Sequence, residues 1–402
     1  MQVPFSPPDI SELEVQYVSE VLRSGWITTG PKTKELEKRL SAYCGSERTA
    51  CLNSATAAME LSLRVLGIGP GDEVITSAYT YTASASVIHH VGATIVMVDC
   101  LPDSCMIDPA AVEAAITERT KAVIPVDLAG IPANYDALHA VLQRKKDLFR
   151  PANELQRELG RIAIVADSAH SLGAKLDGKP AAIEADFACF SFHAVKNFTT
   201  AEGGSVSFNS IGSVSADEMY KQFMLLSLHG QNKDALAKTK LGAWEYDIIE
   251  PYFKCNMTDI MAAIGLAQLE RYPAMLKRRE ELCAIYDSYI LPAGRFETLC
   301  HKTEQMESCR HMYFVRVKGA DEQQRNAIIE KMAERGVSAN VHYKPLPMLS
   351  AYKKLGFDIA NYPNAFALYH NEITMPLFSI MTDEQCHYAA KVLLEATEEV
   401  MG

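Results

Sequence analysis

The chain has 402 residues, 48% of them hydrophobic, and a formal net charge of −11. That is more than one minimal core, so a large domain with a smaller companion is expected, and the acidic balance argues against a broad nucleic-acid surface. No basic stretch leads into an apolar run at the start and no run of about 18 apolar residues occurs, so neither a secretory leader nor a membrane span is expected, and a cytoplasmic location is.

The first informative segment in chain order is "NSATAAMELSLRVLG" (53–67), a polar turn running into a helix with Met59, Leu63 and Leu66 on one face. Ser54 and Thr56 stand at its start, where free N–H groups and the helix dipole make an anion site; ordinary N-capping explains the same residues. Strand-like runs then recur at 73–78, 94–98, 122–126, 162–166 and 187–192, with helix-compatible segments between most of them. One of these, "DPAAVEAAITER" (108–119), carries Asp108 as N-cap and Pro109 at the first helical position. The alternation predicts an α/β fold with a mostly parallel sheet covered on both faces. About a dozen residues separate the run at 187–192 from "SVSF" (205–208), too few for a crossover helix, so that last strand is expected to be antiparallel.

Ligands of open parallel sheets gather at the carboxyl ends of the strands, which selects the loops beginning near Tyr79, Asp127, Asp167 and His193. Asp167 closes the run "RIAIVAD", where a carboxylate must be paired or hydrogen-bonded, or else caps the next turn. Lys196 follows at the end of the next strand, in "FACFSFHAVKNFTTAEGG" (187–204); it is either an exposed turn lysine or a desolvated amine whose lowered pKa makes it a nucleophile. From about residue 254 the pattern changes. Residues 256–290 read as one or two long helices interrupted near Pro273, and 311–317, 322–336 and 337–343 read as strand, helix and strand. The expected division is a large domain over 1–254 and a smaller C-terminal α/β domain, with its connecting helices, over 255–402.

Ten cysteines lie scattered without a C-x-x-C pair or zinc spacing, so no metal site is expected. The sequons at Asn197 and Asn256 read as chance matches, and the basic spots at 143–146 and 277–279 as solvated helix faces.

An anion site, a carboxylate and an amine at neighbouring strand ends are the three protein parts that pyridoxal 5'-phosphate requires. With them come "SGWITTGPKTKELEKRL", "NSATAAMELSL", "GIGPGDEVIT", "KAVIPVDLAG", "DSAHSLGA", "SFHAVKNFTTAEGG", "NMTDIMAAIGLAQL" and "TMPLFSIMT", in that order. In these blocks the chain resembles the DegT-type nucleotide-sugar aminotransferases, from about Phe5 to the C-terminus, and "SFHAVKN" is most similar to the branch acting on UDP-4-keto sugars. The resemblance implies a fold-type I transferase with a seven-stranded-type sheet, an amino donor such as glutamate, a keto-sugar nucleotide as acceptor and a homodimer with shared active sites.

Carried over by position, it makes Lys196 the lysine that holds the cofactor and Asp167 the partner of its ring nitrogen. Ser54, Ala55, Thr56 and Ser191 would hold the phosphate, Tyr81 would stack on the ring and His170 would approach its phenolic oxygen. Asn256 would reach the phosphate of the neighbouring subunit. Trp26, Thr28 and Thr29 of "GWITTGP" (25–31), together with His193 and with His342 of "NVHYKPL" (340–346), are candidates for the sugar and nucleotide side. The chain departs from the family in having "FKCN" (253–256) where a glycine-containing approach to the asparagine is usual. Its segment 143–161 is also about ten residues longer than the usual counterpart, where an extended helix or loop is expected.

Three rivals are weighed. Sugar 3-dehydratases of the family carry histidine where this chain has Lys196, and a non-catalytic, cofactor-binding regulator would bind without turnover. A hydrolase using Ser168 or Ser171 with His170 would lack the G-x-S-x-G elbow. Amination at the 3 position, or of a dTDP- or GDP-linked sugar, stays open.

Overall fold

The computed structural model describes residues 1–232 and 245–402. Its main sheet has seven strands: β1 (Arg48–Leu52), β2 (Glu73–Ser77), β3 (Thr94–Val98), β4 (Thr120–Ile124), β5 (Ala163–Asp167), β6 (Phe187–Ser191) and β7 (Gly204–Phe208). They lie in the order β1-β7-β6-β5-β4-β2-β3. The pairs from β3 through β6 are parallel, and β7 runs antiparallel to both of its neighbours, β6 and β1.

Alternate side chains of these strands enter two apolar cores. Ile75, Ile164, Ala188 and Phe190 pack on one face, and Val74, Val165, Phe187 and Cys189 on the other. A strand buried on both sides needs apolar residues at successive positions, which is why the runs were visible in the sequence. The expected strand ends agree to within two residues. β1 was not anticipated: "RTACL" is short and begins with an exposed arginine.

The helix expected over 108–119 is Pro109–Ala115, with Asp108 capping the N–H of Ala110; Ile116 already has extended angles. Segment 143–161 ends one helix at Arg144, makes a single 3-10 turn at Lys146–Leu148, and forms a short helix at Glu154–Leu159. Its Asn153 and Gln156 amides both donate to the carbonyl of Leu66 at 2.8 Å. The longer segment therefore caps the helix Ala55–Val65 at the carbonyl of its C-cap residue, Leu66.

Pro273 does not interrupt the next element: Asp259–Ile290 is one helix of 32 residues. Its first half packs Ala262, Leu266, Tyr272 and Met275 against the main core, and its second half packs Leu282, Cys283, Tyr286 and Ile290 into a separate C-terminal cluster. Burial at both ends outweighs the one hydrogen bond that proline forfeits. The last sheet holds Phe296–Thr298, Tyr313–Val317 and Glu372–Met375, all antiparallel, against the helices Glu322–Glu334 and Asp383–Met401. Residues 337–343, expected as a strand, are not one. The position beside Tyr313–Val317 is taken by Glu372–Met375, so Val337 and Asn340 form only single bridges, to Val3 and Thr374. The chain then swings His342 and Tyr343 towards the strand ends of the main sheet.

Candidate active site

The loops after β2, β4, β5 and β6 open into a cavity of about 350 Å³, within the range of small-molecule sites. Ser54, Ala55, Thr56, Tyr81, Asp167, His170, Ser191, His193 and Lys196 all line it. Nine expected residues, drawn from segments more than a hundred positions apart, thus meet in one place.

Ser54 is the N-cap of Ala55–Val65, its Oγ accepting from the N–H of Ala57 at 3.1 Å. Capping and cavity lining are therefore compatible. β7 approaches this turn closely: a Cβ on Gly204 would lie 2.3 Å from the carbonyl carbon of Ser54 and 2.4 Å from the nitrogen of Ala55. Only glycine leaves the helix start seated against the sheet there.

Asp167 is buried at the end of β5. Ser84 donates to its Oδ2 at 2.6 Å and the N–H of Ala169 to its Oδ1 at 3.3 Å. Burial raises its pKa, and Ser84, Ala169 and the charge of Lys196 oppose the rise. Lys196 is half-buried, with its N–H on the carbonyl of His193. Burial lowers its amine to about 8, and the pull of Asp167 works against that. Such an amine is unprotonated in a useful fraction at mildly alkaline pH.

His170 is held neutral, its pKa well below the usual histidine value, through burial first and then the charges of Lys196 and His342. Its Nδ1 is buried without a partner among the described residues, while Nε2 lies 3.4 Å from the Tyr343 hydroxyl. Tyr81 is 59% exposed and its ring centroid lies 5.6 Å from that of Tyr343. His193 stands at the mouth, 3.6 Å from Glu202.

The remaining candidates lie elsewhere. Trp26, Thr28 and Thr29 are tied to the start of the long helix: Trp26 donates to the carbonyl of Thr29, and the carbonyl of Thr28 accepts from Asp259. Asn256 donates to Thr29 Oγ1 at 2.5 Å and lies outside the cavity lining. His342 lines a smaller adjoining cavity and stacks on Phe5 at 5.6 Å.

Sequence reasoning missed Ser84, Tyr343, and the pair Asn197 and His311. The side chain of Asn197 is buried beside Lys196, donating to the carbonyl of Cys309 and bonded to His311 Nδ1 at 2.8 Å; the His311 ring packs 4.4 Å from His170. The neighbour of His342 in "NVHYKPL" was the available signal for Tyr343; Ser84 had none. The serine–histidine rival finds no support, because Ser168 and Ser171 both donate their hydroxyls to the buried Asp127.

A mostly parallel sheet with an amine, a carboxylate and a helix start around one cavity at its strand ends is the arrangement of a fold-type I pyridoxal-phosphate-dependent enzyme. The chain belongs to the DegT/DnrJ/EryC1/StrS aminotransferase family, whose model matches residues 8–393. A Streptococcus pneumoniae chain assigned as a sugar aminotransferase, Spr1654, is 57% identical in its PMP form; it superposes with a TM-score of 0.96 and 100% coverage of both chains. Its PLP form gives 0.95 at 55% identity. Helicobacter pylori PseC, an aminotransferase involved in pseudoaminic acid biosynthesis, is 28% identical with a TM-score of 0.86, over 99% of this chain and 100% of its own. The Bacillus subtilis spore coat polysaccharide biosynthesis protein SpsC is 35% identical over 395 residues, covering 95% of this chain and 94% of its own. The protein is a sugar aminotransferase that uses pyridoxal phosphate. Among the described residues no helix is long and apolar enough to cross a membrane.

Proposed function

We propose that the protein transfers an amino group from glutamate to the keto carbon of a UDP-4-keto sugar, as a cytoplasmic homodimer with shared active sites, and so supplies an amino sugar nucleotide for surface glycans. One observation carries the reading: Lys196 and Asp167 line the same cavity as the start of the helix Ala55–Val65. The names of SpsC and PseC, given for polysaccharide and pseudoaminic acid biosynthesis, favour the same substrate class.

The residues fit the cofactor. The close seat at Gly204 brings the N–H groups of Ala55 and Thr56 to one wall, where with Ser54 and Ser191 they would hold the phosphate. Asp167, with Ser84 fixing one oxygen, would face the ring nitrogen, and the exposed ring of Tyr81 would cover the ring face. The unpartnered Nδ1 makes His170 a ready neighbour for the phenolic oxygen. When bound, the group supplies an electron sink for the bond broken at the donor's α-carbon. The Nζ of Lys196, at about 8, would take up the proton released there and return it. Asn256 would serve the partner's site, Trp26, Thr28, Thr29 and His193 would face the sugar and nucleotide, and His342 would border them from the smaller cavity beside Lys196. A division of the chain at about residue 254 would set apart the C-terminal cluster around Val315 and Ile373, although the first half of the long helix packs on the main core.

The test is a panel of UDP-, dTDP- and GDP-linked keto sugars incubated with glutamate and read by mass spectrometry, beside Lys196→Ala. The UDP-4-keto sugar is expected to gain the amine, and the wild type alone to fix its cofactor on borohydride treatment. Amination confined to dTDP- or GDP-linked sugars, or to the 3 position, would overturn the substrate, and a fixed cofactor in Lys196→Ala would overturn the lysine.

A further inference from the structure

A second cavity, of about 40 Å³, adjoins Lys196 and is lined also by Phe5, His311, His342, Tyr343 and Met375. That volume holds a water molecule and has polar groups to bind it. His342 joins this cavity to the C-terminal sheet. Its Nδ1 lies 2.9 Å from Thr374 Oγ1, and the Thr374 hydroxyl lies 2.5 Å from Glu372 Oε1. The other oxygen of Glu372 accepts the backbone N–H of His342 at 2.9 Å, which fixes the order of the three groups. The Nε2 of His342 has no hydrogen-bond partner among the described residues, so one ring nitrogen is committed to the sheet and the other is available to the cavity.

Glu372 is 1% exposed, and its carboxyl has no ion-pair partner among the described residues. Arg325, the nearest cation by charge, spends Nη1 on the backbone carbonyls of Tyr369 and Glu372, and Arg316 is paired with Glu297. Tyr79, Cys105 and Tyr343, which feel its charge, are held neutral by burial, and Asp103 lines the same pocket as Glu372. Burial raises Glu372 to about 8. Facing Lys196 are Asp167, Cys309 and three histidines held neutral by burial, His170, His311 and His342, and its amine also stands at about 8. A proton shared between two groups of similar affinity moves either way at little cost.

We propose that Glu372, Thr374 and His342 form a proton relay that reaches Lys196 through water in the small cavity. This rests on Lys196 as the group that carries the proton in amino transfer. Discharging the ammonium moves one proton per link: from Lys196 Nζ to the water, from the water to His342 Nε2, from His342 Nδ1 to Thr374 Oγ1, and from the Thr374 hydroxyl to ionised Glu372 Oε1. The result is a neutral amine and a neutral carboxyl in place of an ammonium and a carboxylate, with every atom and charge conserved. Running backwards, the relay recharges the amine. His342 and Glu372 are positioning and proton-storing residues here, acting through Lys196.

The test uses Glu372→Gln, which keeps an acceptor for the His342 N–H and cannot store a proton, and Thr374→Val with its rescue Thr374→Ser. In cofactor-free protein, infrared difference spectra are expected to show the carbonyl stretch of a buried, protonated carboxyl in the wild type, fading near pH 8 and missing from Glu372→Gln. A wild type already ionised at pH 6 overturns the relay. In the glutamate half-reaction with donor deuterated at the α-carbon, Glu372→Gln and Thr374→Val are expected to exchange label with water roughly tenfold more slowly. Thr374→Ser should restore exchange to within about twofold of wild type. Equal exchange in wild type and Thr374→Val overturns the relay; if that variant does not fold, the infrared titration decides. Loss of cofactor fixation in Lys196→Ala together with unchanged exchange in the relay variants sinks the relay alone, whereas retained fixation sinks the lysine assignment beneath it.

Discussion

Asp127 lies just behind the cavity wall formed by Val126 and Leu128, and it collects four donors. The N–H of Ala133 and the Tyr135 hydroxyl reach Oδ1, and the Ser168 and Ser171 hydroxyls reach Oδ2, all within 2.9 Å. It ties the loop after β4 to the loop that carries His170. Asp127→Asn turns one acceptor into a donor facing donors, so a loss of about 2 kcal/mol in stability is expected, read by urea unfolding. An unchanged midpoint would mean that the four contacts are not jointly made in solution. At this scale the sequence was readable where chemistry coincided with a strand end. Asp167 and Lys196 stood out because one closes an apolar run and the other stands four residues past the next, and the family resemblance alone gave them roles. Ser84 did not, since its bond to Asp167 spans 83 positions, and the bond from Tyr343 to His170 spans 173; only the folded topology brings such pairs together.

At the level of elements, β7 and the helix Ala55–Val65 meet at Gly204, which has room for hydrogen only. Gly204→Ala is expected to push the helix start away from the sheet, cost about 1–3 kcal/mol in stability, and weaken pyridoxal phosphate binding by more than tenfold in an absorbance titration. Wild-type binding would show that the helix start is not the anion cradle. The strands were legible because both faces are buried, and the long helix was misread at Pro273 because the local signal for a break is strong. Its continuity comes from cores at both ends, which no local pattern reports. Residues 337–343 were misread for a related reason: the place they would take in the sheet belongs to Glu372–Met375, a competitor about thirty residues away.

For the whole molecule, the apolar cluster containing Tyr272, Met312, Leu346 and Tyr362 also contains Ile75 and Ile164, so packing runs across position 254 through the long helix. Folding is therefore expected to respond as a unit to a charge buried at the C-terminal sheet. The carboxyl of Glu372 has an ordinary value of 4.5 and about 8 in the fold. Below pH 4.5 folded and unfolded chains both hold the proton and nothing is lost. Between 4.5 and 8 the unfolded chain releases it while the folded chain keeps it, so stability falls as pH rises and then levels off. Glu372→Gln lacks this loss, and its advantage over wild type is expected to grow from near zero at pH 4.5 to about 5 kcal/mol at pH 9. Thermal melts of the two proteins across that range give the answer, and parallel curves would contradict it.

Asn197 heads one of the two sequons, yet its amide is enclosed, held between the carbonyl of Cys309 and the ring of His311. A carbohydrate attached there during synthesis would occupy the space that closes beside Lys196. Routed through a eukaryotic secretory compartment, the chain would meet an oligosaccharide transferase before it had buried that side chain, and each molecule so modified would be barred from completing its active site. The compartment in which the chain is made thus becomes a condition for obtaining active enzyme, set by one asparagine whose amide cannot be both glycosylated and enclosed.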